Sequence, residues 1–147
     1  KDKLVWKWTK GANTLLADFD NPVSGSANYT LCFYAGATPA LIQQATVPPA
    51  GGKWAALGTK GYKYKDSGGA NDGITKIIVK GGDAGKSKAL VKGKGTNLPD
   101  FDSDLPVANA DLPMIVQLRN SQTGLCWGGS FATPKKNLAE QFNAKQP

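Results

Sequence analysis

The side chains that could do chemistry in this chain are carboxylates, thiols, lysines and aromatic rings, because its 147 residues include no histidine. Without an imidazole the chain cannot form a Ser-His-Asp or a Cys-His catalytic group. Its two cysteines, Cys32 and Cys126, are too few for a zinc site without histidine. These absences predict a protein that is not an enzyme and that binds no cofactor, with calcium as the one alternative.

Two pairs of aspartates are the candidates for a hydrolytic site. Asp18 with Asp20, and Asp66 with Asp72, could place two carboxyl groups on either side of a glycosidic bond. Both pairs lie beside asparagine, glycine or proline, where aspartate favours turns by bonding its own backbone. We therefore expect these residues to form turns, and a hydrolase ranks last among the functions considered.

Four further aspartates are spaced like the ligands of a calcium loop. Asp100, Asp102, Asp104 and Asp111 stand at positions 1, 3, 5 and 12 of the EF-hand pattern. The sixth position is Leu105, where the EF-hand turn needs glycine. The pattern therefore excludes an EF-hand and leaves two alternatives, an irregular calcium site or a solvated acidic loop.

The chain is basic, with a net charge of +7, and the charge is unevenly distributed. Residues 60–94 contain nine lysines and three aspartates, whereas residues 95–113 contain four aspartates and no basic residue. A basic segment of this kind attracts acidic polysaccharide, lipopolysaccharide or extracellular DNA. Because the segment contains no arginine, we predict no sequence-specific recognition of nucleic acid.

Within this segment, residues 74–80 and 86–92 alternate around a glycine-rich loop, which predicts a β-hairpin. Ile77 and Val79 then pair with Ala89 and Val91 on the core side. The opposite face presents Lys80, Lys86, Lys88 and Lys92 to water, with Lys63 and Lys65 nearby. These lysines are the predicted contact for a polyanion or for another subunit. The alternative is an outward face that only keeps the protein soluble and a sheet edge unpaired.

Aromatic rings form a second candidate site, because exposed rings can stack on sugars. Trp54, Tyr62 and Tyr64 are the candidates, and Trp54 follows Gly52 and Lys53, which favours an exposed ring. The remaining tryptophans lie in apolar runs and are predicted to be core residues: Trp6, Trp8 and Trp127.

Cys32 and Cys126 each lie in an apolar, strand-like run, more than 90 residues apart. Two such cysteines in a β-rich chain favour a disulfide in an oxidising compartment, and we expect it to link two sheets. In the chain-entropy model a loop of this length stabilises the fold by about 4 kcal/mol. The alternative is a pair of buried free thiols in a cytosolic protein.

The elements that must position these residues are short strands. Alternating or apolar runs bounded by Gly, Pro, Asn or Asp predict nine or ten of them, and residues 138–142 are expected to form one helical turn. The clearest runs are residues 4–9, 29–34, 41–47, 61–66, 74–80, 86–92, 114–118 and 125–131. No strand–helix–strand alternation occurs. Residues 1–147 therefore predict a single all-β domain, a two-sheet β-sandwich tied by the disulfide, with a β-barrel as the alternative.

Several motifs in order resemble a family of secreted β-rich domains from environmental Gram-negative bacteria, a family without an assigned activity. They are residues 3–11 (KLVWKWTKG), 18–19 (DF), 29–32 (YTLC), 61–66 (GYKYKD), 72–76 (DGITK), 91–95 (VKGKG), 116–118 (VQL) and 126–127 (CW). The resemblance covers nearly the whole chain. It implies export and an extracellular or cell-surface location, and it supplies no catalytic residue.

These observations favour a structural or adhesive protein that assembles into a surface or matrix fibre. The N-terminal strand, residues 4–9, could pair with the sheet edge of another copy, and a contact that does not close on itself produces a fibre. The alternative function is a carbohydrate- or polyanion-binding module. No apolar stretch approaches the roughly 18 residues that span a bilayer, so the chain is not predicted to cross a membrane.

Overall fold

A computed structural model describes residues 2–101, 104–138 and 141–144 of the chain and shows an all-β fold. Eleven strands lie in the described residues: β1 Lys3–Gly11, β2 Tyr29–Ala35, β3 Ala40–Val47, β4 Trp54–Leu57, β5 Gly61–Lys65, β6 Ile74–Lys80, β7 Ser87–Lys94, β8 Met114–Asn120, β9 Cys126–Phe131, β10 Pro134–Leu138 and β11 Gln141–Ala144. Two short 3₁₀ turns, Leu16–Phe19 and Asn109–Asp111, are the only helical elements in these ranges. None of the described helices is long and apolar enough to cross a membrane.

The strands form three antiparallel sheets. The five-stranded sheet has the order β1-β7-β6-β5-β4, the four-stranded sheet has the order β3-β2-β8-β9, and β10 pairs with β11. Neither large sheet closes on itself, so the alternative of a β-barrel is wrong. The two large sheets contribute to one apolar core, which makes the fold sandwich-like.

The core follows from strand alternation, because successive side chains of a strand point to opposite faces of its sheet. Trp6 and Trp8 of β1 are buried on one face of the five-stranded sheet, and Leu31 and Leu118 are buried on the four-stranded sheet. Trp127 completes an aromatic cluster with Phe19, with ring centroids 5.0 Å apart. Each fully buried side chain of this size stabilises the fold by about 1.5–3 kcal/mol relative to exposure.

The predicted hairpin and its core-facing side chains are confirmed. Ile77 lies opposite Val91 and Val79 opposite Ala89, and all four side chains are buried. The alternation was sufficient because hairpin partners are neighbours in sequence. The helical turn predicted over residues 138–142 is wrong for the three of them that are described, since Leu138 belongs to β10 and residues 141–142 to β11. Residues 139–140 lie outside the described residues.

The predicted disulfide is not found, and both cysteines are free thiols. Cys32 lies on β2 and Cys126 on β9, two strands of the same four-stranded sheet, with β8 between them. Two strand spacings amount to about 9.6 Å, whereas the Cα atoms of a disulfide lie within about 7 Å. The prediction that the cysteines join two sheets is therefore wrong, because sequence distance does not reveal that an intervening strand separates them.

Candidate functional site

The outward face of the five-stranded sheet is covered by lysine. On β1, β7, β6 and β5 the apolar residues alternate inward, so the residues between them face away from the core. Nine lysines occupy these outward positions: Lys3, Lys7, Lys63, Lys65, Lys76, Lys80, Lys88, Lys92 and Lys94. We call this surface the lysine face.

Four pairs of these lysines lie directly opposite each other on neighbouring strands. The pairs are Lys3 with Lys94, Lys65 with Lys76, Lys76 with Lys92, and Lys80 with Lys88. Neighbouring strands are about 4.8 Å apart, and like charges in opposed positions destabilise a sheet by up to about 1 kcal/mol per pair. The lysine face therefore concentrates positive charge, and the opposed lysines lower the free energy of unfolding.

No outward position of these four strands holds a carboxylate. Across the described ranges the only ion pair joins Lys53 and Asp66 at 2.9 Å, and Lys53 lies outside the face, in the loop before β4. Asp66 also accepts hydrogen bonds from the backbone N–H groups of Gly68 and Ala70. Its pKa is lowered, chiefly by Lys53, so the carboxylate nearest to β5 already has its partners.

Three apolar side chains lie among the lysines. Leu90 and Ile78 are opposed on β7 and β6, and both are half-buried. Val5 of β1 is 47% exposed and lies opposite Lys92. Lysine stems can pack along such apolar surface while the ammonium groups remain in water. The face is therefore a cationic surface with a few apolar side chains among the lysines.

The structure brings together most of the lysines expected from the sequence. Lys80, Lys88 and Lys92 lie on the lysine face, and Lys63 and Lys65 join them through the pairing of β5 with β6. Lys86 is exposed in the turn before β7 and is not part of the strand.

The sequence prediction missed the contribution of β1. Lys3 and Lys7 reach the lysine face because β1 pairs with β7 along most of its length. The alternation of residues 4–9 already placed Lys7 on the face opposite the tryptophans. Nothing local indicated that this strand lies beside a hairpin about 80 residues later.

The predicted sugar-stacking site is not available at the surface. Trp54 is 5% exposed, so the prediction of an exposed ring is wrong. Its indole Nε1 donates a hydrogen bond to the Pro48 carbonyl, and its ring packs between Tyr29 and Tyr64, with centroids 5.1 and 5.3 Å away. Tyr62 and Tyr64 are also buried.

The acidic residues give no sign of a metal site in the ranges described. Asp102 lies outside the described residues. Among the described residues, no three or more His, Cys, Asp or Glu side chains lie close enough together to hold a metal ion. Asp104 accepts a hydrogen bond from the Gln43 side chain at 3.2 Å. Asp100 and Asp111 are exposed in the segment before β8.

Three aspartates of the two candidate pairs bond backbone N–H groups, and two of them do so within their own turn. Asp18 accepts the N–H of Leu15 at 2.8 Å, and Asp72 accepts the N–H of Thr46 at 2.9 Å. Asp18 and Asp66 therefore bond their local backbone, whereas Asp72 bonds β3, a strand of the four-stranded sheet 26 residues away.

Comparison of the chain with protein-family models, with curated proteins and with solved structures gave no match. The class of protein is therefore defined by the fold and the site alone. It is an all-β, sandwich-like domain that presents one sheet face of uncompensated lysines.

Proposed function

We propose that this protein is an extracellular binding module for acidic polysaccharide, which it holds on the lysine face. The observation that best supports this function is the presence of nine outward lysines on four adjacent strands without a carboxylate among them. Export, suggested by the family resemblance, is part of the same proposal.

The composition of the face and its position on a sheet favour a polysaccharide over duplex DNA. Specific reading of DNA uses an element that enters a groove and arginine or amide side chains that pair with base edges. The lysine face has neither, since its charged residues are all lysine and lie on a sheet surface. Lysine is a point charge on a flexible stem, which suits anionic groups at variable positions along a linear chain.

The electrostatics predict a strongly salt-dependent interaction. Charges at a solvent-exposed surface are largely screened beyond about 10 Å at 0.1 M salt. A polyanion that covers the face neutralises several lysines at once and releases its condensed counterions, so its affinity falls steeply as salt rises.

The test compares two variants of equal charge on columns of immobilised polygalacturonate and dextran sulfate. K76Q/K80Q/K88Q/K92Q removes two opposed pairs from the lysine face. K10Q/K60Q/K135Q/K136Q removes four lysines from the irregular end of β1, from a turn and from β10. We expect the first variant to elute at much lower salt than the second. Equal elution of the two variants, or no retention of the unmodified protein, would contradict the proposal.

A structural role through self-assembly is the second candidate. It is supported by the position of β1, a nine-residue edge strand that pairs only with β7 among the described strands. Unpaired edges of this length are templates for strand addition. Sedimentation velocity at low salt, with and without calcium, tests this function. We expect a sedimentation coefficient that increases with protein concentration. A monomer at every concentration would exclude assembly.

A further inference from the structure

One corner of the lysine face forms a shallow depression of about 280 Å³ that is open to solvent. We call it the anion corner. Its lining consists of Lys63, Lys65, Ser67, Thr75, Lys76, Lys92 and Lys94. Five of these seven side chains are cationic, and none is acidic.

Three of the lysines form a row across adjacent strands. Lys65 of β5 lies opposite Lys76 of β6, which lies opposite Lys92 of β7. The middle lysine therefore has an opposed lysine on both sides, on strands about 4.8 Å away. The repulsion is greatest here, because every other lysine of the face has at most one opposed lysine.

The shape of the corner comes from an irregularity in β6. The register between β6 and β7 shifts between Ile74 and Lys76, so Thr75 has no opposed residue on β7. Its hydroxyl donates a hydrogen bond to the Lys92 carbonyl at 3.3 Å, so its proton is already used within the sheet. The bulge therefore shapes the lining of the corner without adding a free donor, and bulges commonly re-aim side chains at functional sites.

We infer that the anion corner binds a phosphomonoester group of the polysaccharide, an inference that rests on the proposed function. A phosphomonoester has a charge of about −1.5 to −2 at pH 7 and three strong acceptor oxygens. It can therefore accept hydrogen bonds from three neighbouring lysines at one point. A carboxylate has one charge and two oxygens, so it leaves more of the repulsion at Lys76 uncompensated.

A matched pair of double variants isolates the corner. K76Q/K92Q removes an opposed pair that lines the depression, and K80Q/K88Q removes the equivalent pair on the same two strands outside it. Both variants lose two charges; K76Q/K92Q relieves two opposed pairs of like charges, because Lys76 also lies opposite Lys65, and K80Q/K88Q relieves one. Each should fold at least as stably as the unmodified protein, which thermal melting checks.

The probes share one backbone and differ in their anionic group: dextran phosphate, dextran sulfate and carboxymethyl dextran of equal charge density. We expect dextran phosphate to bind most tightly, and K76Q/K92Q to weaken it at least tenfold. K80Q/K88Q should weaken all three polymers by a similar, smaller factor. If the two variants lost the same affinity for dextran phosphate, or if the unmodified protein bound the three polymers equally, the inference would be overturned and the proposed function would remain intact. Absence of binding to all three would instead overturn the proposed function.

The pH profile and a lipid probe complete the test. The second proton of a phosphomonoester dissociates near pH 6, so affinity for dextran phosphate should rise between pH 5 and pH 7 while affinity for dextran sulfate stays constant. A flat profile would contradict the inference. Vesicles of phosphatidylcholine with phosphatidic acid present the same group on a lipid. Tighter binding to these vesicles than to dextran phosphate would overturn the assignment to a polysaccharide.

Discussion

The side chain of Asn120, at the end of β8, donates a hydrogen bond of 2.8 Å to the backbone carbonyl of Phe19, 101 residues away in sequence. The same carbonyl accepts the hydroxyl of Tyr29 at 2.7 Å. Asn120 is fully buried, and its side-chain oxygen accepts the N–H groups of Gln122 and Thr123. One amide thus joins the Leu16–Phe19 turn, the end of β8 and the turn that leads to β9.

We predict that Asn120→Ala lowers the free energy of unfolding by about 1–3 kcal/mol, because it removes a fully buried amide together with its three hydrogen bonds. Urea denaturation of this variant and of the exposed control Gln122→Ala measures the difference. Tyr29→Phe should cost less, since the Phe19 carbonyl keeps Asn120 as a donor. Equal midpoints for Asn120→Ala and the control would show that the network contributes no stability.

Asp66 gives the fold an acid-sensitive contact. Its carboxylate accepts a hydrogen bond of 2.9 Å from the Lys53 ammonium group and two more from backbone N–H groups of the loop before β6. The Lys53 ammonium is the largest cause of its lowered pKa, below an ordinary value near 3.8. A group whose pKa falls on folding stabilises the protein above the unfolded pKa, and this contribution is lost as the pH falls through the folded pKa.

The protein should therefore lose stability as the pH is lowered below about 4. The Asp66→Asn variant should be less stable than the unmodified protein at pH 7. It should also lose less stability than the unmodified protein between pH 4 and pH 2.5. Urea midpoints at both ends of this range give the comparison, with Asp83→Asn, an exposed loop substitution, as the matched control. Parallel pH profiles for Asp66→Asn and the unmodified protein would rule out this carboxylate as the source.

The two thiols should differ in reactivity. Cys126 is exposed and lines an open groove of about 460 Å³ between the end of β1 and the start of β9. Cys32 is buried, and burial raises the pKa of its thiol, which lowers the fraction of reactive thiolate.

We expect one thiol to react fast with a disulfide reagent in the native protein, and two thiols to react after denaturation without reductant. Cys126→Ser should abolish the fast phase. A denatured, unreduced protein with no titratable thiol would show that a disulfide forms after all.

The hairpin and the buried faces of the strands were predictable because both depend on residues close in sequence. Alternation placed Ile77 and Val79 on the core face, and the glycine loop fixed their partners. Pairing between distant strands has no comparable local signal. Neither the location of β1 beside β7 nor the passage of β8 between the two cysteines could be obtained from periodicity.

Trp54 illustrates the same limit for a single side chain. The glycines before it indicated an exposed loop, and the chain does turn at Gly51 and Gly52, both of which have positive φ. The ring is nevertheless covered by Tyr29, a residue on a strand of the other large sheet. Burial of this kind is decided by how two sheets pack, which the local sequence does not specify.

The lysine face should hold a measurable trade-off between stability and binding. Lys92 lies opposite Lys76 on β6 and Val5 on β1, so Lys92→Glu replaces one like-charge pair by an opposite-charge pair. We expect a gain of up to about 1 kcal/mol in the free energy of unfolding at low salt. The gain should shrink at 1 M salt, where the Debye length is about 3 Å.

The same substitution should weaken binding to dextran phosphate, because it puts a carboxylate into the row of lysines that lines the anion corner. Thermal melting at two salt concentrations and the binding assay, performed on the same variant, test both effects. Lys136→Glu, an exposed change on β10, is the control that should alter neither. If Lys92→Glu destabilised the fold at low salt, the opposed lysines would not repel as their register implies, and the reason for placing an anion between them would disappear.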